Sequence, residues 1–448
     1  MAQISTIKYS DILEAHRYDS EYFKPEYLEI ERNIRRQSFS YFGELTKLFI
    51  KGIFDINSDV YTTHGIPFVR ISNLKNSIIN DSDIVYITEE ENKKNKKTEL
   101  RYSDIILSKT AYPACSLVTL ERCNTSQDTI AIKLKADSRV SSKFLVIFLN
   151  TRYGISQMRR YFTGNIQMHL NLTESKQILV PSLPSLFQKE ISDLFDESIE
   201  KQAQSKQLFH EADEILLKEL GLLNYQVKHN LAFSTTKKEI GQSGRFDSEY
   251  FQPKYQEIVE RIEKYEGGWD LVKNQFRQNI TLSKKNEEYF NYIEISDVNT
   301  SNGEIIPNRV EMKDIPANGK RRLFKNDLLI SKVRPYRGAI SFVDFEIPNL
   351  LGSGAFTVLQ EKTDYKKEVL MIFLKSPFIK ELLLRYNCGT SYPVIKDEDI
   401  LNLKIPLIKQ QIQKQIAGKI QESHWLRKES KRLLEEAKKK VEEEIERR

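Results

Sequence analysis

The chain has 448 residues, with 69 lysines and arginines against 63 aspartates and glutamates, giving a formal net charge of +6. This length predicts two or three domains, because globular domains usually hold about 100–200 residues. No stretch approaches the roughly 18–20 apolar residues of a membrane span, and residues 1–11 lack a secretory signal pattern. The three cysteines (Cys115, Cys123 and Cys388) are too few for a disulfide framework, which favours a reducing cytoplasm.

An internal duplication dominates the sequence. The segment RYDSEYFKPEY at 17–27 returns as RFDSEYFQPKY at 245–255, and only three of the eleven positions differ. A shorter echo relates DIILSK at 104–109 to DLLISK at 327–332. The period is far too long for a solenoid repeat. The sequence therefore predicts two copies of one large unit, each about half of the chain, that differ by small loop changes.

Each half has the coarse pattern of a mixed α/β domain. Short apolar and β-branched runs between turn residues predict strands. These runs lie at 66–71, 84–87, 105–107 and 129–134 in the first half, and at 292–295, 328–330, 339–343 and 355–359 in the second. A helix is predicted after each set, over 142–161 and over 368–386.

Both halves end in a long polar stretch with helical periodicity. A seven-residue spacing relates small residues in the two stretches: Ser198, Ser205 and Ala212 in the first, and Ser423, Ser430 and Ala437 in the second. Small residues along a seam let two helices approach closely, so the pattern favours a coiled coil. The alternative is a pair of ordinary amphipathic surface helices. A helix over 184–220 would be about 55 Å long at about 1.5 Å per residue, a rod able to hold two domains apart.

Familiar catalytic motifs are missing from the sequence. It has no G-x-x-x-x-G-K-[ST] or G-x-G-x-x-G phosphate loop and no C-x-x-C or H-x-x-x-H metal pair. It also lacks the Asn-Pro-Pro-aromatic motif and the glycine-rich S-adenosylmethionine loop of DNA amino-methyltransferases. Asp83, Glu91 and Lys93 superficially resemble a nuclease site. We interpret the charged run 89–97 as a solvated loop, and the glycine-containing stretch 241–244 as a linker.

Positive charge is concentrated around the predicted strand at 328–330. Between Lys320 and Arg337 seven residues are basic and only Asp327 is acidic. Clustered basic residues neutralise phosphates and release counterions, and arginine can read guanine through two hydrogen bonds. The loops around 108–113 and 163–169, and their counterparts around 331–338 and 388–393, carry the candidate contacts. These loops differ between the copies, as expected for two modules that read different targets.

The candidate DNA-binding side chains lie mostly on these loops. They are Arg70, Ser72, Asn73, Lys109, Tyr112, Asn165 and Gln167 in the first half, and Arg321, Arg322, Lys332, Arg334, Tyr336, Arg337, Thr390 and Tyr392 in the second. For each residue taken singly, a plain surface role is an equal alternative. No catalytic residue, metal ligand or cofactor site is predicted.

Essentially the whole chain resembles the specificity (S) subunit of a type I restriction–modification system. The resemblance rests on two copies of a variable α/β domain followed by a long helix. It also rests on the phrases GIPFVRI at 65–71 and DIILS at 104–108. Two junctions add to it: VPSLP at 180–184 leads into QKEI at 188–191, and IPL at 405–407 leads into QKQI at 413–416. The second junction has IKQ at 408–410 where the family pattern repeats a proline.

This resemblance implies a pseudo-twofold, non-catalytic subunit without a cofactor of its own. Residues 1–183 and 245–407 would be target recognition domains, each reading one half of a split sequence in double-stranded DNA. Residues 184–244 and 408–448 would hold the helical spacers, pairing as an antiparallel coiled coil that fixes the gap between the half-sites.

The resemblance also implies partners. The spacers would dock methyltransferase subunits, expected to be two, which carry S-adenosylmethionine and methylate adenine. Separate restriction subunits, where present, would use ATP and Mg²⁺. Two other hypotheses remain. A scaffold binding proteins through its coiled coil would show no salt-dependent DNA binding. A cryptic nuclease would need Glu91 and Lys93 for cleavage.

Overall fold

The computed structural model describes residues 4–75, 77–163, 169–284, 286–389 and 392–447. The chain folds into two compact units. Unit 1 comprises Met1–Gln202 with Lys428–Arg448, and unit 2 comprises Ala203–Arg427. Each unit contains an α/β domain and part of two long helices, Ser185–Glu219 and Gln410–Arg447. The predicted mixed α/β class is confirmed.

In the described part of unit 1, the strands form two larger sheets and short ladders. The central sheet has the order Thr46–Lys51, Thr129–Leu134, Ile105–Ser108, Cys115–Leu117, Ser77–Ile79, Leu74–Lys75. The second sheet has the order Tyr61–Thr62, Val85–Ile87, Ile66–Val69, Arg122–Thr125, Leu100–Arg101. Ladders pair Phe39–Tyr41 with Leu179–Pro181 and Phe162–Thr163 with His169–Leu170. The α-helices of its domain are Tyr9–Ala15, Pro25–Arg35, Glu89–Lys94, Ser142–Leu149, Arg152–Tyr161 and Leu172–Ser175.

The described part of unit 2 follows the same plan with shorter sheets. Its central sheet has the order Phe276–Gln278, Phe356–Glu361, Leu328–Ser331, Ile340–Phe342. Its second sheet has the order Asn308–Glu311, Tyr289–Ile293, Leu350–Gly352, Arg321–Arg322. A ladder pairs Trp269–Leu271 with Lys404–Pro406. The α-helices of its domain are Lys237–Ser243, Pro253–Glu263, Val272–Gln275, Lys367–Lys375, Pro377–Leu384 and Asp397–Leu401.

The central strand of each domain is buried on both faces. In unit 1, Ile105 and Leu107 pack in the cluster that contains the helix Ser142–Leu149, whereas Ile106 packs in a separate cluster on the other face. The equivalent strand Leu328–Ser331 of unit 2 is divided between two clusters in the same way. Side chains alternate between the faces of a strand, so a strand covered on both sides must be apolar throughout. This requirement explains the unbroken apolar run that both copies carry.

The single helix predicted over 142–161 is wrong, because the structure has two helices there. Ser142–Leu149 ends before Arg152–Tyr161 begins, and the Thr151 hydroxyl accepts a hydrogen bond from the Gly154 N–H at 3.4 Å. A threonine at the N-cap starts a new helix because its side chain satisfies a free backbone N–H. Apolar periodicity runs through the break and therefore does not reveal it.

The same correction applies to the helix predicted over 368–386. Here Lys367–Lys375 and Pro377–Leu384 are separate helices, and Ser376 between them is extended, with φ −62° and ψ 146°. The proline ring disfavours a helical conformation at the preceding residue and fits the first position of a new helix. Two different local signals thus break the helix at the equivalent place in both copies.

The two long helices pack against each other through layers of small residues. In unit 1 the buried hydroxyls of Ser198 and Ser430 lie 2.9 Å apart, and in unit 2 those of Ser205 and Ser423 lie 3.0 Å apart. Each layer also has a hydroxyl that donates to the facing backbone carbonyl, at 2.9 Å and 2.8 Å respectively. Burying a hydroxyl costs free energy unless it is hydrogen-bonded. In these layers, each buried serine hydroxyl finds its hydrogen-bond partner on the facing helix.

The pairing direction follows from the residues that meet within each unit. In unit 1 Glu190 forms an ion pair with Lys440 at 2.7 Å, in addition to the serine layer of that unit. In unit 2 Glu211 forms one with Lys419 at 2.5 Å. In each unit the partner number falls as the number on the first helix rises, so the helices are antiparallel. The predicted coiled coil is confirmed, and the alternative of separate surface helices is wrong.

Two segments predicted as irregular are helical. Within 89–97, the helix Glu89–Lys94 is capped by Thr88, whose side-chain oxygen accepts a backbone N–H at 3.1 Å. Its glutamates lie in the first turn and its lysines in the last, which suits the helix dipole. The stretch interpreted as a linker ends the exposed helix Lys237–Ser243, which Gly244 terminates with a φ of 62°. Charged residues concealed the capping signal of the first helix, and the glycines at 241 and 244 concealed that of the second.

Gly154 gives a test of the close contact between the two domain helices of unit 1. A Cβ at Gly154 would lie 2.4 Å from Leu149 Cα, whereas a Cβ at Gly418, inside a long helix, would meet nothing within 4 Å. Gly154→Ala is therefore expected to destabilise the protein by about 1–3 kcal/mol. Gly418→Ala should stabilise it by up to about 1 kcal/mol, because alanine is the better helix former.

Urea unfolding of both variants beside the parent protein measures these changes. The two alanines are matched controls for each other, since each replaces a helical glycine. If both shift stability in the same direction, the close approach at Gly154 does not exist in solution.

Candidate nucleic-acid interface

The structure brings two of the predicted loops together in each unit. In unit 1 the Leu170 N–H donates to the Lys109 carbonyl at 2.8 Å, and in unit 2 the Ile395 N–H donates to the Lys332 carbonyl at 2.9 Å. This shared hydrogen bond joins the loop after the central strand to the segment after the second domain helix. We call these the loop cluster of unit 1 (109–113, 163 and 169–170) and the loop cluster of unit 2 (332–338, 388–389 and 392–395).

Arg334 organises the loop cluster of unit 2. Its backbone N–H donates to the Pro393 carbonyl at 2.8 Å, and its guanidinium lies 4.7 Å from the centre of the Tyr392 ring. Arg334 adopts a left-handed conformation with a φ of 47°, which costs a non-glycine residue free energy and needs support from its surroundings. Beyond it, the side chain of Arg337 is exposed and that of Tyr336 is half-buried. The cluster therefore presents two guanidiniums beside an exposed aromatic ring.

Lys332 has an internal partner. Its ammonium lies 3.3 Å from the carboxylate of Asp397, which also accepts a hydrogen bond from Thr357 at 2.5 Å. Burial raises the pKa of Asp397, but the hydrogen bond from Thr357 and the charge of Lys332 outweigh burial, and the pKa falls below its usual value. Lys332 therefore ties the loop cluster to the helix Asp397–Leu401.

Lys375 is a contributor that the sequence did not reveal. Its ammonium donates to the Thr300 carbonyl at 2.6 Å and to the Gly338 carbonyl at 3.0 Å, where the basic loop ends. Burial, followed by the charges of Lys380 and Arg427, lowers the pKa of Lys375 to about 7. A lysine in the last turn of a helix is ordinary in a sequence, so no pattern marks it.

In unit 1 the candidates around 70–73 are held by internal hydrogen bonds. Asn73 is fully buried, and its amide donates to the Asn80 carbonyl at 3.0 Å and to the Asp83 carboxylate at 2.8 Å. The half-buried Arg70 donates to the Asp83 carbonyl at 2.7 Å. Ser72, between them, is exposed. Asn73 therefore lies inside the fold, where it shapes the turn that carries Arg70 and Ser72.

Tyr112 and Lys109 connect this turn to the loop cluster of unit 1. The Tyr112 hydroxyl donates to the Ile71 carbonyl at 2.9 Å, and burial raises its pKa. Burial also lowers the pKa of Lys109, and the nearby ammonium of Lys51 lowers it further. Nothing in the sequence groups Lys51 with Lys109. Lys51 ends the strand Thr46–Lys51 and Lys109 follows the strand Ile105–Ser108, and the sheet places only the strand Thr129–Leu134 between them.

Arg321 and Arg322 form a short strand at the edge of the second sheet of unit 2. Arg321 pairs with Gly352, and the exposed guanidinium of Arg322 lies 5.3 Å from the Phe324 ring. Shortly after Gly352, the Ala355 carbonyl accepts the Lys332 N–H at 2.8 Å, which links this edge to the loop cluster. Three other candidates, Asn165, Gln167 and Thr390, lie outside the described residues.

The described ranges contain no group of three or more histidine, cysteine, aspartate or glutamate side chains that could hold a metal ion. None of the helices that the structure describes is long and apolar enough to cross a membrane. The run around Glu91 and Lys93 forms a capped helix, in which the Glu91 carboxylate accepts a hydrogen bond from Asn95 at 2.8 Å.

Comparisons with known proteins identify what this chain is similar to. Residues 269–436 match the family described as "Type I restriction modification DNA specificity domain". A relative from Methanocaldococcus jannaschii, the "Type I restriction enzyme MjaVIII specificity subunit", is 25% identical over 415 residues, which cover 88% of this chain and 85% of the relative. The chain is therefore similar to type I restriction–modification specificity subunits over most of its length, and residues 269–436 match their DNA specificity domain.

Solved structures of such subunits overlap most of the chain at low identity. A type I S subunit from M. genitalium has 14% identity and a TM-score of 0.42, covering 91% of this chain and 95% of that chain. The HsdS subunit from Thermoanaerobacter tengcongensis has 14% identity and a TM-score of 0.26, covering 89% of this chain and 96% of that chain.

Asn73 and Ser72 are neighbours in sequence, but Asn73 is buried and Ser72 is exposed. Alanine substitutions at the two positions therefore test whether the hydrogen bonds of Asn73 stabilise unit 1. Asn73→Ala would leave the groups that bind its amide without their partner, so unit 1 should lose about 1–3 kcal/mol of stability. Ser72→Ala should change stability by less than about 0.5 kcal/mol, because the side chain is exposed. Thermal unfolding of both variants measures the difference. Equal stability of the two would contradict the hydrogen bonds described for Asn73.

Proposed function

We propose that the chain reads a bipartite, asymmetric DNA target, one half-site with each unit, and docks methyltransferase subunits of a type I restriction–modification complex. One observation carries the proposal. The same backbone hydrogen bond, at Lys109 in one copy and at Lys332 in the other, places two loops side by side, while the loops themselves differ in sequence. A constant frame with variable loops suits two modules that recognise unlike sequences.

The side chains proposed to contact DNA are the accessible members of each loop cluster and its neighbours. In unit 1 they are Arg70, Ser72, Lys109 and Tyr112, and in unit 2 Arg321, Arg322, Arg334, Tyr336, Arg337 and Tyr392; Asn165, Gln167 and Thr390 remain candidates. Arginine can pair with guanine or with phosphates, and rings and hydroxyls contact base edges and sugars. Asn73 and Lys332 are proposed to position the loops, since their side chains are occupied by Asp83 and Asp397.

The proposed domain organisation keeps the boundaries predicted from the sequence. Residues 1–183 and 245–407 are proposed as recognition domains, and 184–244 and 408–448 as spacers whose paired helices set the gap between half-sites. The spacers are also the proposed docking site for methyltransferase subunits, expected to be two. S-adenosylmethionine is proposed to bind those subunits, and ATP with Mg²⁺ to bind restriction subunits where these exist. The cytoplasm is the proposed location.

The first test is selection from randomised duplexes, using this protein mixed with its partner methyltransferase and adenine methylation as the readout. Two short fixed blocks around an unspecified gap are the expected result. Methylation without any motif, or a stable complex that methylates nothing, would contradict the proposal and favour the scaffold hypothesis.

The double variant Arg334→Ala with Arg337→Ala tests the loop cluster of unit 2. Loss of two guanidiniums should weaken binding about tenfold or more and relax one half-site, leaving the other intact. Lys264→Ala with Lys362→Ala is the control, because it removes equal charge from exposed positions of the same unit outside the cluster and outside the spacers. The same selection measures both. Equal degradation of both half-sites by the arginine variant would refute the assignment of this loop to one half-site.

Deleting one heptad from each long helix tests the spacer. Removal of 199–205 and 423–429 takes out one serine layer and preserves the antiparallel register of the rest. Each helix shortens by about 10 Å, the axial rise of about three base pairs. We expect a shorter gap, by up to about three base pairs, with the same bases in both half-sites. A change in the bases, or an unchanged gap, would contradict the role of the spacer.

A further inference from the structure

The duplicated segment 17–27 and 245–255 is the best preserved part of the two copies, yet no function described above uses it. It adopts the same local structure in both units. The Arg17 guanidinium lies 2.7 Å from the Asp19 carboxylate, and that of Arg245 lies 2.6 Å from Asp247. Its preservation beside loops that vary indicates a task common to both recognition domains.

A tyrosine ring in each copy joins this segment to the second domain helix. In unit 1 the Tyr22 ring lies 5.0 Å from the Arg17 guanidinium and 4.0 Å from that of Arg160. Arg160 also donates to the Tyr22 carbonyl at 2.9 Å. Attraction between a guanidinium and the face of an aromatic ring strengthens where water is excluded, and Tyr22 is buried. Arg160 therefore ties this ring to the helix Arg152–Tyr161, and Arg17 contacts the ring from within the duplicated segment.

Unit 2 repeats the arrangement with different surroundings. The Tyr250 ring lies 5.0 Å from the guanidinium of Arg245 and 4.8 Å from that of Arg385, which follows the helix Pro377–Leu384. An aromatic neighbour stands edge-on to the tyrosine in both copies, at 4.9 Å in unit 1 and 5.0 Å in unit 2. The repetition of four contacts in two copies marks a built arrangement.

These contacts lie beside the helix-following loop, at its beginning in unit 2 and just after its end in unit 1. Arg245 donates to the Asn387 carbonyl at 3.0 Å, and its other nitrogen lies 3.5 Å from the Cys388 sulfur. Cys388 then pairs with Val394 through backbone hydrogen bonds of 3.0 and 2.9 Å. In unit 1 the Arg17 guanidinium lies 3.4 Å from Glu174, just beyond the corresponding loop.

We infer that the duplicated segment is an anchor for the helix-following recognition loop, and that Arg17 and Arg245 are positioning residues for the half-site read by their own unit. The inference rests on the proposed function for its effect on DNA, but the anchoring itself is a property of the protein alone. A loop whose sequence varies with its target needs a fixed origin, and charge-assisted hydrogen bonds give direction as well as strength. Each Arg–Asp ion pair fixes the position of the guanidinium that contacts residues beside the loop.

Hydrogen–deuterium exchange of the full chain without DNA tests the anchor in unit 2. Arg245→Gln should speed exchange of the Cys388 and Val394 amides by about tenfold or more, the factor expected when one charged hydrogen bond is lost. Phe246→Ala is the matched control, because Phe246 adjoins Arg245 and is 87% exposed. Arg245→Lys should restore much of the protection, since an ammonium can still donate to Asn387. Unchanged exchange in Arg245→Gln would overturn the inference.

Half-site specificity, read by the methylation selection, gives the second measurement. Arg245→Gln should relax only the half-site of unit 2, and Arg17→Gln only that of unit 1. Relaxation of both half-sites by either variant, or the same relaxation in Phe246→Ala, would overturn the inference in favour of general destabilisation. If the parent protein selects no split motif, the proposed function fails, and the exchange experiment alone decides whether the anchor exists.

Discussion

The doubly buried central strand is the constraint on which the rest of each unit depends. Ile105–Ser108 and Leu328–Ser331 are covered by helices on one face and by a second sheet on the other, so neither strand can move without opening two clusters. Protein interiors are close-packed, and such an element is rigid. The loops after these strands begin at Lys109 and Lys332, and each loop therefore starts from a fixed position. Variable loops can be built on that point without disturbing the core.

A second constraint is the short distance between the backbones of the two long helices. The serine layers let the backbones approach closely, and the paired hydroxyls of Ser198–Ser430 and Ser205–Ser423 are hydrogen-bonded to each other. Larger apolar side chains, such as Leu434 and Val441 in unit 1, turn instead toward the domain core. Each helix thus divides its surface between its partner helix and a domain. Within each unit, helix pair and domain share one hydrophobic core.

Some basic side chains of the loops are bound inside the protein, and others are exposed to solvent. Lys332 and Lys375 bind an internal carboxylate and internal carbonyls, whereas Arg337 and Arg322 stand exposed. Supporting cations fix loop geometry, and exposed ones are able to meet phosphates or base edges. A net charge of +6 alone says little about binding, because this division depends on where each carboxylate lies in space. In the duplicated segment, Arg17 and Arg245 are likewise bound internally, by Asp19 and Asp247, beside the helix-following loop.

The sequence by itself determined the duplication, the α/β class, the apolar strands and the small-residue seam, because each depends on local periodicity or on agreement between the copies. It missed the helix breaks before Arg152 and Pro377 and the helix Glu89–Lys94, where capping and proline chemistry overrode composition. Only the tertiary structure decided which polar candidates face inward: Asn73 is buried beside Asp83, and Lys332 is paired with Asp397. Asp83 lies ten residues after Asn73 and Asp397 lies 65 residues after Lys332, and burial and charge pairing depend on which residues are neighbours in space.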